Sequence, residues 1–238
     1  MRVVAIVQAR MGSTRLPNKV VKHVGGVPLI ELLLARLAKS TQIEQIVLAT
    51  SIDHRNQPLI EHVKKLGYAC IQGSEEDVLD RYLSAARSVD ANIVVRITGD
   101  CPLIDPMLVD QVIERFLSLE VDYISNTIPA TYPDGLDTEV FTMEALERAA
   151  AESTEAFDRE HVTPYLRRPG LFKTASFNHT EDLSRSRWTV DEPADFDVIC
   201  RVFDYFNPNI YFSWLDVLSL QREQPQLFSD NSKIMEAC

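Results

Sequence analysis

Three cations, Arg10, Arg15 and Lys19, are gathered in the stretch Q-A-R-M-G-S-T-R-L-P-N-K near the start of the chain. No acidic residue precedes Glu31, although the chain carries a formal net charge of −11. Guanidinium groups grip phosphate oxygens with paired donors, and a lysine adds a compact charge. Gly12 lets a ligand approach the backbone closely, and Pro17 stiffens the loop between Arg15 and Lys19. The stretch follows a strand-like run, where open α/β sheets bind ligands, and so points to an anion site. It is neither a P-loop nor a G-x-G-x-x-G turn. The plainer alternative is a solvated basic loop. Ser13 stands among the cations with no nucleophile elbow around it.

Carboxylates recur in three later stretches. In R-I-T-G-D-C-P-L-I-D-P, Gly99 permits a sharp turn that projects Asp100 from the end of a strand. A lone carboxylate beside a polyphosphate is a natural magnesium ligand, because magnesium keeps waters and takes few protein oxygens. Asp105, ahead of Pro106, reads instead as a helix cap. In R-W-T-V-D-E-P-A-D-F, Asp191 offers a second carboxylate to the same metal; equally, Asp191 or Glu192 caps the helix led by Pro193. In D-G-L-D-T-E-V-F, Asp137 and Glu139 either accept hydrogen bonds from sugar hydroxyls or are solvated turn acids. His54, His62, His161 and His179 form no metal-binding signature, and Cys101 has no evident activating base.

Elements that position these residues are legible from apolar runs and their punctuation. Strands are expected at Val3–Val7, Ile46–Ser51, Tyr68–Gln72, Asn92–Thr98 and Asp122–Ser125, each a short apolar run. Between them lie helices at Pro28–Lys39, Gln57–Leu66, Glu75–Val89 and Pro106–Leu119, with Pro28 in a first turn and Gly67 ending the second. Strand–helix alternation at this spacing predicts a mostly parallel sheet covered on both faces. The second half is less regular. Thr127–Gly135 is a loop, and strands are expected at Thr138–Phe141, Phe172–Phe177 and Trp188–Val190. Helices are expected at Glu144–Glu152, Glu155–Arg167 (limited or kinked by Pro164), Ala194–Phe206 and Trp214–Glu223, with a polar, fraying tail from Gln224.

The 238 residues, 45% of them hydrophobic, suit one domain with a sizeable core and a partly antiparallel excursion. An acidic balance argues against nucleic acid or an anionic membrane as partner, while leaving room for a small anion in a local cationic pocket. Cys70, Cys101, Cys200 and Cys238 are far apart and form no C-x-x-C pair, which favours a reducing compartment. With no membrane-length apolar run and no signal-peptide pattern, the expected location is the cytoplasm.

Five stretches in this order carry a resemblance: Q-A-R-M-G-S-T-R-L-P-N-K, T-G-D-C-P-L-I-D-P, D-G-L-D-T-E-V-F, R-E-H-V-T-P-Y and R-W-T-V-D-E-P-A-D-F. Together they resemble the cytidylyltransferases of the SpsF type, from spore coat polysaccharide biosynthesis. These belong with the acylneuraminate and 3-deoxy-manno-octulosonate cytidylyltransferases. The resemblance covers about residues 1 to 205. It implies a Rossmann-like nucleotide-diphospho-sugar transferase fold and a reaction in which CTP and an acidic or modified sugar give a CMP-sugar and pyrophosphate, with Mg2+. It implies that Arg10, Arg15 and Lys19 hold the triphosphate, with Gly12 and Ser13 in the same loop, and that Asp100 and Asp191 are the metal ligands. It places His161 near the sugar, and Ala9, Thr50 and Ser51 at strand ends resembling a cytosine pocket. A sugar-binding excursion at roughly residues 126 to 177, through which relatives pair, makes a homodimer an expectation. Two other readings compete. A glycosyltransferase on the same fold would show a D-x-D motif, which Asp100-Cys-Pro lacks. A non-catalytic nucleotide-sugar binder would have no need of three cations and both carboxylates.

Overall fold

The computed structural model describes residues 1–230. Its centre is a seven-stranded sheet built from β1 (Val3–Gln8), β4 (Gln45–Ser51), β5 (Ala69–Gly73), β6 (Ile93–Thr98), β7 (Tyr123–Ser125), β8 (Glu139–Thr142) and β9 (Thr174–Ser176). The spatial order is β5-β4-β1-β6-β8-β7-β9. All pairings are parallel except those of β8, which runs antiparallel to β6 and to β7. The chain winds outward from β1 to β4 and β5, then returns to place β6 on the other side of β1. The switch point therefore lies between the carboxyl ends of β1 and β6, where such sheets leave a crevice.

Both faces of the sheet are covered. On one face, α1 (Leu29–Leu37), α2 (Gln57–Lys65) and α4 (Pro106–Leu117) bury Leu33, Leu37, Leu59, Val63, Val112 and Phe116 against Ala5, Val7 and Val95 of the strands. On the other, α3 (Val78–Ser88) and α5 (Met143–Glu152) bury Leu79, Tyr82, Ala86 and Leu146 against Ile6, Val47 and Val94. A third apolar cluster surrounds the fully buried Trp188 and joins α7 (Pro193–Phe206), α8 (Trp214–Glu223) and a small hairpin, β2 (His23–Val24) with β3 (Val27–Pro28). Continuous apolar strands are what burial on both faces demands, and helix amphipathicity supplies the cover. Among the described residues, no helix is long and apolar enough to cross a membrane.

Several expectations are corrected. The helix expected from Pro28 begins one residue later, at Leu29; Pro28 is its N-cap and also pairs with His23 in the β2–β3 hairpin, whose turn residues Gly25 and Gly26 both have positive φ. Trp188–Val190 is not a strand. Its backbone bonds to separate loops, Trp188 N–H to the Asp134 carbonyl (2.7 Å) and Val190 N–H to the Asp100 carbonyl (2.8 Å). The helix expected at Glu155–Arg167 stops early, as α6 (Ala156–His161), before a left-handed Val162; a 3-10 turn, Tyr165–Arg167, follows Pro164. Beyond Gln224 the described chain does not fray at once, because a 3-10 turn at Pro225–Phe228 buries Phe228 in the third cluster. The last residues of the expected tail, with Cys238, lie outside the described residues.

Candidate active site

The switch-point crevice is a cavity of about 550 Å³. Gln8, Ala9, Arg10, Gly12, Ser13, Arg15 and Lys19 line it from the β1 side, and Thr98, Gly99 and Asp100 from the end of β6. Gly99 is required there by close packing. A Cβ on it would stand 2.6 Å from Ala9 Cβ and 2.9 Å from the Gln8 carbonyl oxygen. The Gly99 N–H donates to that same carbonyl at 2.7 Å, so the ends of β1 and β6 are locked together. Gly12 is less constrained: a Cβ would meet Arg55 and Glu75 at ordinary contact distances of 3.6 and 3.7 Å.

The cationic loop is held from beneath. Buried Asn56 accepts from the Met11 N–H (2.8 Å) and donates to Ser51 Oγ (2.7 Å) and to the Ser51 carbonyl (3.1 Å). Ser13 N–H and Asn18 N–H both donate to the Met11 carbonyl, and a 3-10 turn at Lys19–Val21 ends the loop. Arg10 pairs with Glu75 at 3.0 Å, while Arg15 reaches Asp191 at 3.2 Å and Glu192 at 3.4 Å. Both guanidinium groups are about half exposed, so solvent screens these pairs and an incoming polyanion can replace them.

Lys19 is different. Its Nζ lies 3.0 Å from Asp100 Oδ2, 2.8 Å from Asp191 Oδ1 and 2.7 Å from the Val190 carbonyl. Burial pulls the ammonium pKa down, but the attraction of Asp100 and Asp191 outweighs it, so the net direction is up. For Asp191, burial pulls upward while Lys19, Arg15 and Arg187 hold the carboxyl below its ordinary value. Asp191 is free to face the cavity because it does not cap α7. Glu192 is the N-cap, in a capping box completed by Asp195, whose Oδ2 accepts from both the Asp191 and Glu192 N–H groups at 2.9 Å. Arg187, bonded to Asp134, Asp191 and Asp195, ties the three acids into one frame.

Asp100 and Asp191 thus point at one position from two separate loops. Two converging carboxylates beside a cavity that Arg10 and Arg15 also line suit magnesium, which takes one or two protein carboxylates and fills its shell with water and phosphate oxygens. Among the described residues no group of three or more His, Cys, Asp or Glu is arranged to hold a metal ion.

The remaining expected residues divide. Ala9, Gly12, Ser13 and His161 line the cavity. His161 is delivered by a strained turn: Val162, fully buried, has φ 70° and ψ −58°, and the Thr163 N–H donates to the His161 carbonyl at 2.8 Å. Thr50 and Ser51 are buried and do not line the cavity; Ser51 acts beneath the loop, through Asn56. Glu139 is a correction. Only 2% exposed, it pairs with Arg96 (2.5 Å) and Arg167 and accepts from Tyr123 Oη (2.5 Å) and Thr163 Oγ1 (2.9 Å). Burial would raise its pKa, but the two arginines hold it well below the usual carboxylate range. Buried and engaged by four protein donors, it does not line the cavity and is not placed to meet a sugar hydroxyl there. Asp137 is half-buried beside this cluster; burial first, then Asp134, Glu139 and Asp100, push its carboxyl up to about 7. Asp105 caps α4, accepting from Met107 and Leu108 N–H at 2.8 and 3.1 Å.

Sequence reasoning missed Gln8, Arg81, Glu75 and Glu160, all of which line the cavity. Gln8 Oε1 and Arg81 Nε are buried without a hydrogen-bond partner. Arg81 has a signal in the sequence: it falls among Val78, Leu79, Tyr82 and Leu83 on a buried helix face, where a cation needs partners, and its Nη1 donates to the Ser74 carbonyl at 2.7 Å.

Comparison with known proteins agrees with this geometry. The family model described as cytidylyltransferase matches residues 4–233. The spore coat polysaccharide biosynthesis protein SpsF of Bacillus subtilis is 31% identical over 94% of this chain and 95% of its own. A 3-deoxy-manno-octulosonate cytidylyltransferase of Trichlorobacter lovleyi is 36% identical over 49% of this chain and 46% of its own. A solved cytidylyltransferase structure from Leptospira borgpetersenii superposes with a TM-score of 0.92 at 32% identity, covering 96% of this chain and 97% of that one. With its switch-point cavity, cationic loop and facing carboxylates, the chain belongs to the cytidylyltransferase family, as a CTP-dependent nucleotidyltransferase of the SpsF type.

Proposed function

We propose that the protein transfers CMP from CTP to a hydroxyl of an acidic or modified sugar destined for a surface polysaccharide, releasing pyrophosphate, with magnesium at Asp100 and Asp191. The observation that carries this reading is the convergence of Asp100 and Asp191 on one point at the mouth of a cation-lined cavity. In the reaction the sugar oxygen forms a bond to the α-phosphorus and the bond from that phosphorus to the bridging oxygen breaks. The hydroxyl proton passes to solvent. Little covalent chemistry falls to the protein, so positioning and charge stabilisation dominate. Arg10 and Arg15 exchange their exposed carboxylate partners for β- and γ-phosphate oxygens and stabilise the departing pyrophosphate. Magnesium bound there supplies neutralisation of charge at the α-phosphate. Gln8 and Arg81 line the β1–α3 side of the cavity, the side this reading gives to the base. His161 and Asp137 mark the sugar side.

The segment at 126–177 belongs to the acceptor side in this reading and is the expected surface of pairing between two copies. Among the described residues Cys70, Cys101 and Cys200 are free thiols, and a reducing cytoplasm is the location this reading expects. Pyrophosphate release tests the substrates: CTP, UTP, ATP and GTP are each offered with a panel of keto-acid sugars and sugar phosphates. The expected outcome is release with CTP and one class of acidic sugar. Release only with another nucleotide, or from a nucleotide-sugar donor without pyrophosphate, would contradict the reading.

A further inference from the structure

Lys19 makes a contact that the proposed chemistry does not itself explain. A lysine that only held phosphates would keep its ammonium open to the cavity; here Lys19 lines the cavity but is only 12% exposed, with its donors directed to Asp100 Oδ2, Asp191 Oδ1 and the Val190 carbonyl. These acceptors account for all three ammonium protons. We propose that Lys19 couples nucleotide binding to metal binding: its ammonium occupies the divalent cation's place between Asp100 and Asp191 and leaves it when a triphosphate enters the cavity. The inference rests on the function proposed above.

Magnesium sits about 2.0–2.1 Å from its oxygen ligands. A nitrogen 3.0 and 2.8 Å from the same two oxygens fills the space such an ion would take, and its charge repels the ion as well. Ammonium and metal therefore alternate. The exchange needs no large motion. Lys19 begins the 3-10 turn that ends the cationic loop, and it lines the same cavity as Arg10 and Arg15. A flexible stem with three rotatable donors can swing from carboxylates to phosphate oxygens. The triphosphate gives the ammonium new partners at the moment the carboxylates are needed. Each ligand then favours the other, and metal without nucleotide is held off.

The test uses Mn2+ as a spectroscopically visible cation. Electron paramagnetic resonance measures its binding to the wild-type protein and to Lys19→Gln and Lys19→Arg, each with and without CTP. Without CTP, Lys19→Gln should bind Mn2+ about ten-fold more tightly than the wild type, a size common for coupling between two ligands. Lys19→Arg, which keeps the cation, should stay weak. The gain in Mn2+ affinity on adding CTP should shrink in Lys19→Gln. A second reading needs no substitution: in the wild type, saturating Mn2+ without nucleotide should speed labelling of Lys19 by an amine-specific reagent, followed by peptide mass spectrometry. Equal Mn2+ affinity in wild type and Lys19→Gln, or labelling indifferent to Mn2+, overturns the coupling. Calorimetry with CTP separates the two levels. Failure of the wild type to bind CTP overturns the proposed function, whereas CTP binding with unaltered Mn2+ behaviour overturns only the role of Lys19.

Discussion

The aspartates near the crevice have the same side chain and different tasks, and their neighbours decide which. Asp195 is fully buried under Arg187 and closes the α7 terminus, which leaves Asp191 for the cavity. Asp105 caps α4 and also accepts from the Trp214 N–H at 2.7 Å. Asp137 is the acid kept near neutrality, since burial and the charges of Asp134, Glu139 and Asp100 push it up to about 7. Its unfolded value is the ordinary one, about 3.9. Between about pH 4 and pH 7 the folded state therefore holds a proton that the unfolded chain has released, and stability falls as pH rises through that window. Asp137→Asn should raise the thermal midpoint relative to wild type at pH 8 and leave it unchanged at pH 4. A difference that does not vary with pH would show that Asp137 ionises as it would in water. Sequence spacing brought Asp137 and Glu139 forward as a pair, but it could not separate them. Only the arginines that β6 and the Tyr165–Arg167 turn bring to Glu139 make it a structural ion-pair acid.

At the scale of elements, the site depends on how strand ends are fastened. The bond from Gly99 N–H to the Gln8 carbonyl joins β6 to β1, and Asn56 joins the cationic loop to the end of β4. Arg36 of α1, 1% exposed, donates to the Ile104 and Leu103 carbonyls and so anchors the loop that carries Asp100. Asn56→Ala leaves the buried Met11 N–H unpaired, which should cost about 1–3 kcal/mol of stability. It should also weaken CTP binding, because Arg10 and Arg15 lose their fixed base. Urea unfolding and calorimetry read the two effects, and an unchanged CTP affinity would release the loop from dependence on Asn56. The parallel half of the sheet was legible because each strand is a short apolar run set between helices with capping signals. The β2–β3 hairpin also has its signal in the sequence, Gly25-Gly26 between Val24 and Val27, a pair suited to a two-residue turn. Trp188–Val190 shows the limit of pattern. Its apolar residues serve burial in the third cluster while its backbone bonds to two separate loops, which local periodicity cannot distinguish from pairing in a sheet.

Across the whole molecule, net acidity and a cationic mouth are compatible because charge is sorted by place. The chain keeps carboxylates out of its first segment and brings them back through Asp100 and Asp191, far along the sequence, so that opposite charges meet only after folding. Trp188 holds this late-arriving segment in place; it is fully buried, and its indole N–H donates to Gln221 Oε1 of α8 at 2.8 Å. Trp188→Ala should cost about 3–5 kcal/mol, as for other large aromatic deletions in cores, read by chemical unfolding. A cost below about 1 kcal/mol would mean that the third cluster repacks without it. The central claim is that the cationic loop and the two carboxylates form one site for transferring CMP. The most direct test is CTP-dependent pyrophosphate release, with the acceptor found by the substrate panel, in the wild type and in Asp100→Asn. Loss of one contact to transition-state charge costs on the order of 3 kcal/mol, so release should fall a few hundred-fold in a variant that remains folded. Release at the wild-type rate from folded Asp100→Asn would contradict the account.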